Sequence, residues 1–440
     1  MLQAGVCDAT VSKQNGDSGA TRLAASPASC DGVSVLATPG SKLPEVAPTR
    51  IRIMNARYKD LSDALVGYQK TGIALVAFNG KAFGPAGALD DPGSYYLIPK
   101  ISVLLKVPLK LTIDLFYFSL IMLTVVIGTV GFWASLNTKL GKWLALAWVV
   151  AVVASAYHAG DVYILSAFTP LTVVPWLMYS VERRSLGWFL PAFLFVEGLI
   201  IGLAHTVRAH SGTALLIFTL CILLFHVAAP KTHKALLVTA LLVGLLVPQL
   251  YLRVLVAERD AFLASVCPSC PKFPARHPFW HSTYIGFGFL TNEYVPSYTD
   301  AVAYARVQTI APGTVFGSAK YEHILRQEVL AFIRHHPGLV VTTLAAKAGV
   351  ILLVFLAVAN IGLLAAVRYR KPWPIELGFW SSIAFSSLPG LLVVPSSSGY
   401  MLGLATFASL YAVSSTDFAL SNGSGHAWRC RTSGLDDVLR

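Results

Sequence analysis

Two adjacent carboxylates, Asp90 and Asp91, are the strongest candidates for chemistry in this sequence of 440 residues. They stand in Ala-Leu-Asp-Asp-Pro-Gly-Ser-Tyr-Tyr, residues 88–96, shortly before a long apolar run. A carboxylate can take the proton of an attacking hydroxyl and so act as a general base. Asp-Asp-Pro-Gly also favours a plain turn, because Pro presets φ and Gly accepts a positive φ. This segment alone leaves both interpretations open.

Further polar groups occupy two later loops between apolar runs. Asp161 ends the first of these loops, and Arg208 stands between His205 and His210 in the second. A guanidinium binds phosphate through paired hydrogen bonds and stays charged at physiological pH. With a carboxylate base, it suits transfer of a group from a phosphate to a hydroxyl. We therefore predict that the acidic pair is catalytic and that the arginine and both histidines bind substrate. A contact with lipid headgroups is the alternative for Arg208.

Four residues with aromatic rings are predicted to line the same site. Tyr95 and Tyr96 follow the acidic pair, while Trp280 and His281 lie in a later polar segment. Large flat rings can cover the apolar face of a sugar, and their polar atoms can donate hydrogen bonds. We predict that all four bind substrate. An aromatic belt at a bilayer interface has the same composition and is the alternative.

The composition indicates a membrane protein. Apolar residues make up 55% of the chain and charged residues 13%, which is about half the charged share of a soluble domain. The mean hydropathy is +0.63. Apolar segments of spanning length must be helical, because lipid offers the backbone no hydrogen-bond partner. We predict an all-α multi-pass membrane protein with about nine or ten transmembrane helices. The nine apolar runs are roughly 111–134, 142–157, 162–181, 187–204, 213–229, 235–252, 340–366, 376–396 and 400–416.

Lys and Arg are concentrated in every second short loop, beginning with Lys139 and Lys142 and then Arg183 and Arg184. By the positive-inside rule these loops are cytoplasmic. The acidic pair, Asp161, the Arg208 loop and the polar segment 253–338 then share the periplasmic or exterior face of a cytoplasmic membrane. The predicted domains are a disordered segment 1–70, a membrane domain 71–252 with the acidic first outer loop, an outer-face domain 253–338, transmembrane helices 339–416 and a disordered cytoplasmic tail 417–440.

This arrangement resembles the GT-C superfamily of integral-membrane glycosyltransferases, which use polyprenyl-phosphate sugars. The resemblance covers roughly residues 80–416 in architecture and depends mainly on Asp90-Asp91 and secondarily on Asp161. It implies that an acid of the pair is catalytic. It also implies a polyprenyl-phosphate-linked donor and a glycan, lipid or protein acceptor. In some members an acid of the second loop helps to bind a divalent metal ion, which makes Asp161 the candidate metal ligand. Here the helix expected before the acidic pair is weak, and the second loop has no Asp-x-Asp or Glu-x-Asp pair.

Two other functions fit parts of the sequence. A transporter or flippase of a lipid-linked or small anionic substrate is favoured by Glu197, an acid inside the fourth apolar run, where charge is costly. A glycan ligase or polymerase would use outer Arg and His residues without the acidic pair. Membrane lipids are expected partners, whereas nucleic acid is not, since no polar segment combines a basic run with aromatics. Cys267 and Cys270 are predicted to form a local disulfide.

Overall fold

The computed structural model describes residues 57–86, 92–159, 162–182, 188–208, 210–266, 278–395 and 398–423. In these ranges the chain forms fourteen α-helices and one short hairpin, so the all-α prediction is confirmed apart from the hairpin. The helices are α1 (Tyr58–Thr71), α2 (Pro92–Leu105), α3 (Leu109–Ser135), α4 (Lys139–Ala159), α5 (Leu165–Glu182), α6 (Phe189–Val207), α7 (Thr213–Cys221), α8 (Lys231–Val266), α9 (Phe279–Gly286), α10 (Asp300–Ile310), α11 (Ala319–His335), α12 (Pro337–Arg368), α13 (Trp373–Leu392) and α14 (Ser398–Gly423).

Seven of the described helices are long and apolar enough to cross a membrane, and they coincide with seven of the nine predicted runs. These are α3, α4, α5, α6, α8, α12 and α13. The predicted span at 213–229 is a shorter apolar helix that continues from α7 through a π-helical turn at Ile222–His226. The ninth run lies within α14, whose sequence carries several Ser and Thr residues and Asp417. Several apolar helices of spanning length support a membrane-embedded protein.

Both segments predicted to be disordered are partly helical. In the first, α1 occupies Tyr58–Thr71 and buries Leu61 and Ala64, which are three residues apart and therefore share one helix face. In the second, α14 continues to Gly423, past the end of the ninth run. Asp417 holds this extension, because its carboxylate accepts hydrogen bonds from the Asn137 and Thr138 backbone amides at 3.0 and 2.8 Å. The polar composition of residues 417–423 gives no sign of this tertiary contact, so the sequence did not predict the helical extension.

A β-hairpin occupies residues 76–85, ahead of the acidic pair. Strands β1 (Val76–Phe78) and β2 (Phe83–Pro85) pair antiparallel, with Phe78 opposite Phe83. The hairpin approaches α1 closely at Gly67, where a Cβ atom would lie only 2.1 Å from the Val76 carbonyl oxygen. On the other side, Phe83 makes an edge-to-face contact with Phe262 of α8 at a ring distance of 5.5 Å. The hairpin thus connects α1 to the end of α8.

Among the long apolar helices, α6 and α8 approach each other most closely, backbone to backbone. A Cβ atom on Gly198 or Gly244 would lie 2.1 Å from a carbonyl oxygen of the opposite helix, and one on Gly202 would lie 2.5 Å from such an oxygen. Gly198 and Gly202 form the Gly-x-x-x-Gly pattern that lets membrane helices approach backbone to backbone. The Gln249 side chain also donates to the Gly202 carbonyl at 2.9 Å. These contacts fix the position of α6, which ends at the candidate site.

Residues 278–335, together with Val340, Val393 and Val394, form a second hydrophobic core. Within α11, Tyr321, Leu325 and Val329 are fully buried, and their spacing of four residues places them on one helix face. The predicted domain at 253–338 begins too early, because residues 253–266 continue α8 as one helix of 36 residues. Below, residues 278–335 are called the loop domain.

Candidate functional site

Arg208 follows the last residue of α6 and is buried, with 7% of its surface exposed. Its Nη2 donates a hydrogen bond to the Tyr163 hydroxyl at 2.6 Å, and its guanidinium carbon lies 4.3 Å from the centre of the same ring. Tyr163 belongs to a short 3-10 turn, Val162–Ile164, that leads into α5. The hydrogen bond and the cation–π contact together fix the guanidinium between the start of α5 and the end of α6.

Tyr163 connects Arg208 to the start of α14. Its ring meets that of Tyr400 at 4.9 Å in an edge-to-face arrangement. Gly399 makes room for the contact, since a Cβ atom there would lie 2.9 Å from the Tyr163 ring. Tyr400 also packs against the core of the loop domain. The ends of three membrane-region helices and the loop domain therefore meet at Tyr163, Arg208 and Tyr400, which we call the Arg208 cluster.

Both predicted histidines lie at the turn between α6 and α7. His205 Nε2 is 3.0 Å from the Thr213 hydroxyl, so its ring bridges the turn. His210 is exposed and has a φ of +73°. A positive φ is uncommon for a residue with a side chain, and such strain is often kept at functional sites. His205 belongs to the last turn of α6, whereas Arg208 and His210 lie in the connection to α7, and their predicted roles in substrate binding stay predictions.

The start of α2 contacts this turn. Gly93 lies so close to α6 that a Cβ atom there would be 2.8 Å from the Thr206 carbonyl oxygen, two residues before Arg208. The acidic pair directly precedes α2 in the sequence, but Asp90 and Asp91 lie outside the described residues, as does Asp161. Helix α2, which follows the acidic pair, therefore packs against the end of α6, directly before Arg208.

Tyr95 and Tyr96 have different environments, although they are adjacent. Tyr95 is 1% exposed and belongs to the core of the membrane part. The Tyr96 hydroxyl is 2.7 Å from the Tyr251 hydroxyl of α8 and accepts a hydrogen bond from Lys100 at 2.8 Å. Tyr95 thus contributes to helix packing, and Tyr96 belongs to a polar group between α2 and α8.

His281 and Trp280 take part in interactions within the loop domain. The two ring nitrogens of His281 lie 2.8 Å from the Tyr321 hydroxyl and 3.0 Å from the Asp300 carboxylate. The Glu322 carboxylate accepts from the backbone amides of Trp280 and His281, which stabilises the start of α9. Burial raises the pKa of Tyr321, so its hydroxyl stays protonated. This environment favours a structural role for His281, and its substrate role remains a prediction.

Sequence analysis did not identify Tyr163 and Tyr400 as candidates. Tyrosines at the ends of apolar runs are typical of interfacial anchors, so the residue type did not indicate that these two belong to a site. The one available indication is that Tyr163 lies two residues after Asp161. Glu197 is buried in α6, as its position predicted, and one carboxylate oxygen accepts a hydrogen bond from Thr219. Its other oxygen has no partner among the described residues.

Metal binding has no support in the part of the chain that the structure describes, where no group of three His, Cys, Asp or Glu residues is close enough to hold an ion. The acids predicted for such a role are not in that part.

Comparisons with known proteins give no relative for this chain: no protein-family model, no curated protein and no solved structure matches it.

Proposed function

We propose that the protein transfers a sugar from a polyprenyl-phosphate donor to an acceptor hydroxyl at the outer face of a cytoplasmic membrane. The observation that carries this proposal is the contact between Gly93 and Thr206. It joins the helix that directly follows the acidic pair to the turn that holds a buried, oriented Arg208. A carboxylate base and a fixed guanidinium are the two groups that such a displacement needs.

In the proposed step, Asp91, or Asp90 if the loop is rotated, accepts the proton of the acceptor hydroxyl. The hydroxyl oxygen forms a bond to the anomeric carbon while the bond from that carbon to the phosphate oxygen breaks. The leaving phosphate carries the negative charge, which the Arg208 guanidinium stabilises through charge-assisted hydrogen bonds. A single direct displacement inverts the configuration at the anomeric carbon. His205 and His210, in the same turn, donate to the phosphate or to a sugar hydroxyl.

Replacing Asp90 and Asp91 separately by Asn tests the proposal. Each purified variant is reconstituted in lipid vesicles, and sugar transfer is measured with a panel of polyprenyl-phosphate sugars. We expect the variant that lacks the true base to bind donor but to lose about 10²–10⁴-fold in rate, and its neighbour to lose less. Asp114→Asn in α3 is the matched control. Full activity in both Asn variants would make the pair a simple turn, and a glycan ligase or polymerase would then fit better.

A second candidate function, a transporter or flippase, is favoured by Glu197. The residue is 1% exposed inside α6, and one of its carboxylate oxygens lacks a partner among the described residues. Acids within membrane helices commonly carry protons or face a substrate path. Under this function, Glu197→Gln should abolish movement of a fluorescent polyprenyl phosphate across reconstituted vesicles, measured by dithionite quenching. The exposed Glu258→Gln should not, and the Asp90 and Asp91 variants should also move lipid normally.

A further inference from the structure

Lys100 of α2 belongs to a polar group with one tyrosine of its own helix and one of α8. Its ammonium donates to the Tyr96 hydroxyl at 2.8 Å, which in turn lies 2.7 Å from the Tyr251 hydroxyl of α8. The hydrogen bond to Tyr96 raises the pKa of Lys100, so the amine is fully protonated at neutral pH. Among the described residues, no carboxylate forms an ion pair with it.

The Lys100 ammonium and the Tyr96 and Tyr251 hydroxyls have hydrogen-bond donors that the bonds within this group do not use. An ammonium has three N–H donors, and only one is needed for the bond to Tyr96. Two phenol hydroxyls that bond to each other use one of their two protons and leave the other available. A positive charge with several donors, and with no acidic partner in the part of the chain that the structure describes, is suited to an anion with several acceptor oxygens, as in a phosphate group.

The location of the group indicates the source of that phosphate. Tyr251 lies twenty residues after Lys231, the first residue of α8, which at 1.5 Å per residue is about 30 Å along the helix. That length equals the thickness of the hydrocarbon layer, so the Tyr251 hydroxyl lies at headgroup depth if Lys231 marks the other boundary. Apolar side chains are exposed on both sides of the group, Leu104 and Leu105 on α2 and Leu250 and Val254 on α8.

We propose that Lys100, Tyr96 and Tyr251 bind the phosphate of an anionic phospholipid, with the exposed leucine and valine side chains of α2 and α8 covering its acyl chains. The site is independent of the proposed transfer reaction. It lies on the same helix as Gly93 but seven residues further along, about 10 Å from the contact with α6. A lipid held there would bridge α2 and α8 and so stabilise the position of α2, whose start contacts the end of α6.

Native mass spectrometry of the full chain in detergent tests this site. The protein is mixed with dioleoyl phosphatidylglycerol and dioleoyl phosphatidylcholine at equal concentrations, and retained lipids are counted. The wild type should retain at least one phosphatidylglycerol in preference to phosphatidylcholine. Lys100→Gln should weaken that preference by about tenfold or more, because a charge-assisted bond is lost. Tyr251→Phe should weaken it less. Size-exclusion profiles and melting temperatures establish that each variant is folded.

Lys110→Gln is the matched control, since Lys110 is also exposed and is the second residue of the neighbouring helix α3. An unchanged lipid preference in Lys100→Gln, or an equal loss in Lys110→Gln, would overturn the proposal. A further arm adds inorganic phosphate at millimolar concentration. Phosphatidylglycerol should stay bound, because free phosphate lacks acyl chains; displacement by inorganic phosphate would show that the site takes the free anion instead.

Discussion

Arg208 combines burial with a fixed orientation, two properties that are costly for a charged group. A guanidinium taken out of water needs compensation from hydrogen bonds, ring contacts or a bound anion. Tyr163 supplies a hydroxyl and a ring face, which orient the guanidinium. A residue arranged in this way suits binding of a phosphate more than anchoring in a headgroup layer, where an exposed and mobile side chain would serve as well.

The first prediction concerns donor binding by Arg208. Arg208→Ala should weaken the binding of a polyprenyl-phosphate sugar by about 2–3 kcal/mol, or roughly 30- to 150-fold, because a charge-assisted paired contact is lost. Arg208→Lys should recover only part of this, since an ammonium lacks the planar fork. Tyr163→Phe keeps the ring and removes the hydroxyl, so its loss should be smaller. Equilibrium binding in detergent measures all three. Unchanged affinity in Arg208→Ala would exclude the residue from the site.

Candidate functional residues could be predicted from the sequence only where the residue type is unusual for its position in the chain. Arg208 and Glu197 stand out because charge is rare at such positions in a membrane protein. Tyr163 is 45 residues from Arg208, and nothing in its type distinguishes it from an interfacial tyrosine. His281 looked like a sugar or phosphate contact, yet its partners are Tyr321 and Asp300, which only the folded loop domain brings together.

Helices were predicted well from apolar runs, whereas their ends and exact contacts were not. A long apolar run predicts a helix because, in lipid, the backbone amide and carbonyl groups must form hydrogen bonds with each other. It does not extend α8 beyond residue 252, where the helix continues to Val266 through a stretch that contains four charged residues. The extension of α14 depends on Asp417 and the turn at 137–138, which are about 280 residues apart in the chain.

The α6–α8 contact provides a prediction about stability. Gly244→Ala places a methyl group 2.1 Å from the Phe195 carbonyl oxygen, so the helices must separate. We expect a loss of about 1–3 kcal/mol and a lower melting temperature in detergent. Gly349→Ala in α12 is the matched control, because nothing lies within 4 Å of its added methyl group. That variant should melt at the wild-type temperature or above, since Ala favours helix over Gly. Equal melting of both variants would contradict the close packing.

Lys371, in the loop between α12 and α13, is a buried amine near an acid and two rings. Its side chain is 3% exposed, its Nζ lies 3.9 Å from a Glu376 carboxylate oxygen, and the Phe379 and Tyr411 ring centres lie 4.3 and 4.4 Å away. Burial lowers the pKa of Lys371 to about 7, against the opposing effect of Glu376. The loop that joins the two helices is therefore sensitive to protonation.

This pKa predicts how stability changes with pH. Between about pH 7 and the ordinary value of 10.5, the unfolded chain holds a proton at Lys371 that the folded chain has released. Folding therefore becomes more favourable as pH rises through this window, by at most about 1.4 kcal/mol per pH unit. The melting temperature of the wild type, relative to Lys371→Met, should increase from pH 7 to pH 9. Parallel melting temperatures for the two proteins would show that the amine stays charged.

The two ends of the bundle of described helices differ in chemistry. One end holds the Arg208 cluster, the start of α2 and the loop domain. The other end carries cations and exposed tryptophans in the short connections and first turns of its helices. They are Lys139, Lys142, Trp143, Trp188, Lys231, Lys234, Arg370 and Trp373. Cations with interfacial Trp residues are typical of the cytoplasmic boundary. Which end faces the cytoplasm stays a prediction from the charge bias between the loops.

The last prediction tests which end faces outward. In a variant whose six native cysteines are replaced by serine, Thr309→Cys and Arg370→Cys place one thiol at each end. Thr309 belongs to the loop domain, whose core contacts Tyr400 of the Arg208 cluster, and Arg370 lies in the connection between α12 and α13. Both positions are exposed, so folding does not shield either thiol. A membrane-impermeant maleimide added to intact cells should label Thr309→Cys, whereas Arg370→Cys should react only after permeabilisation. The reverse pattern would put the Arg208 cluster on the cytoplasmic face, where a donor exposed on the outer leaflet could not reach it.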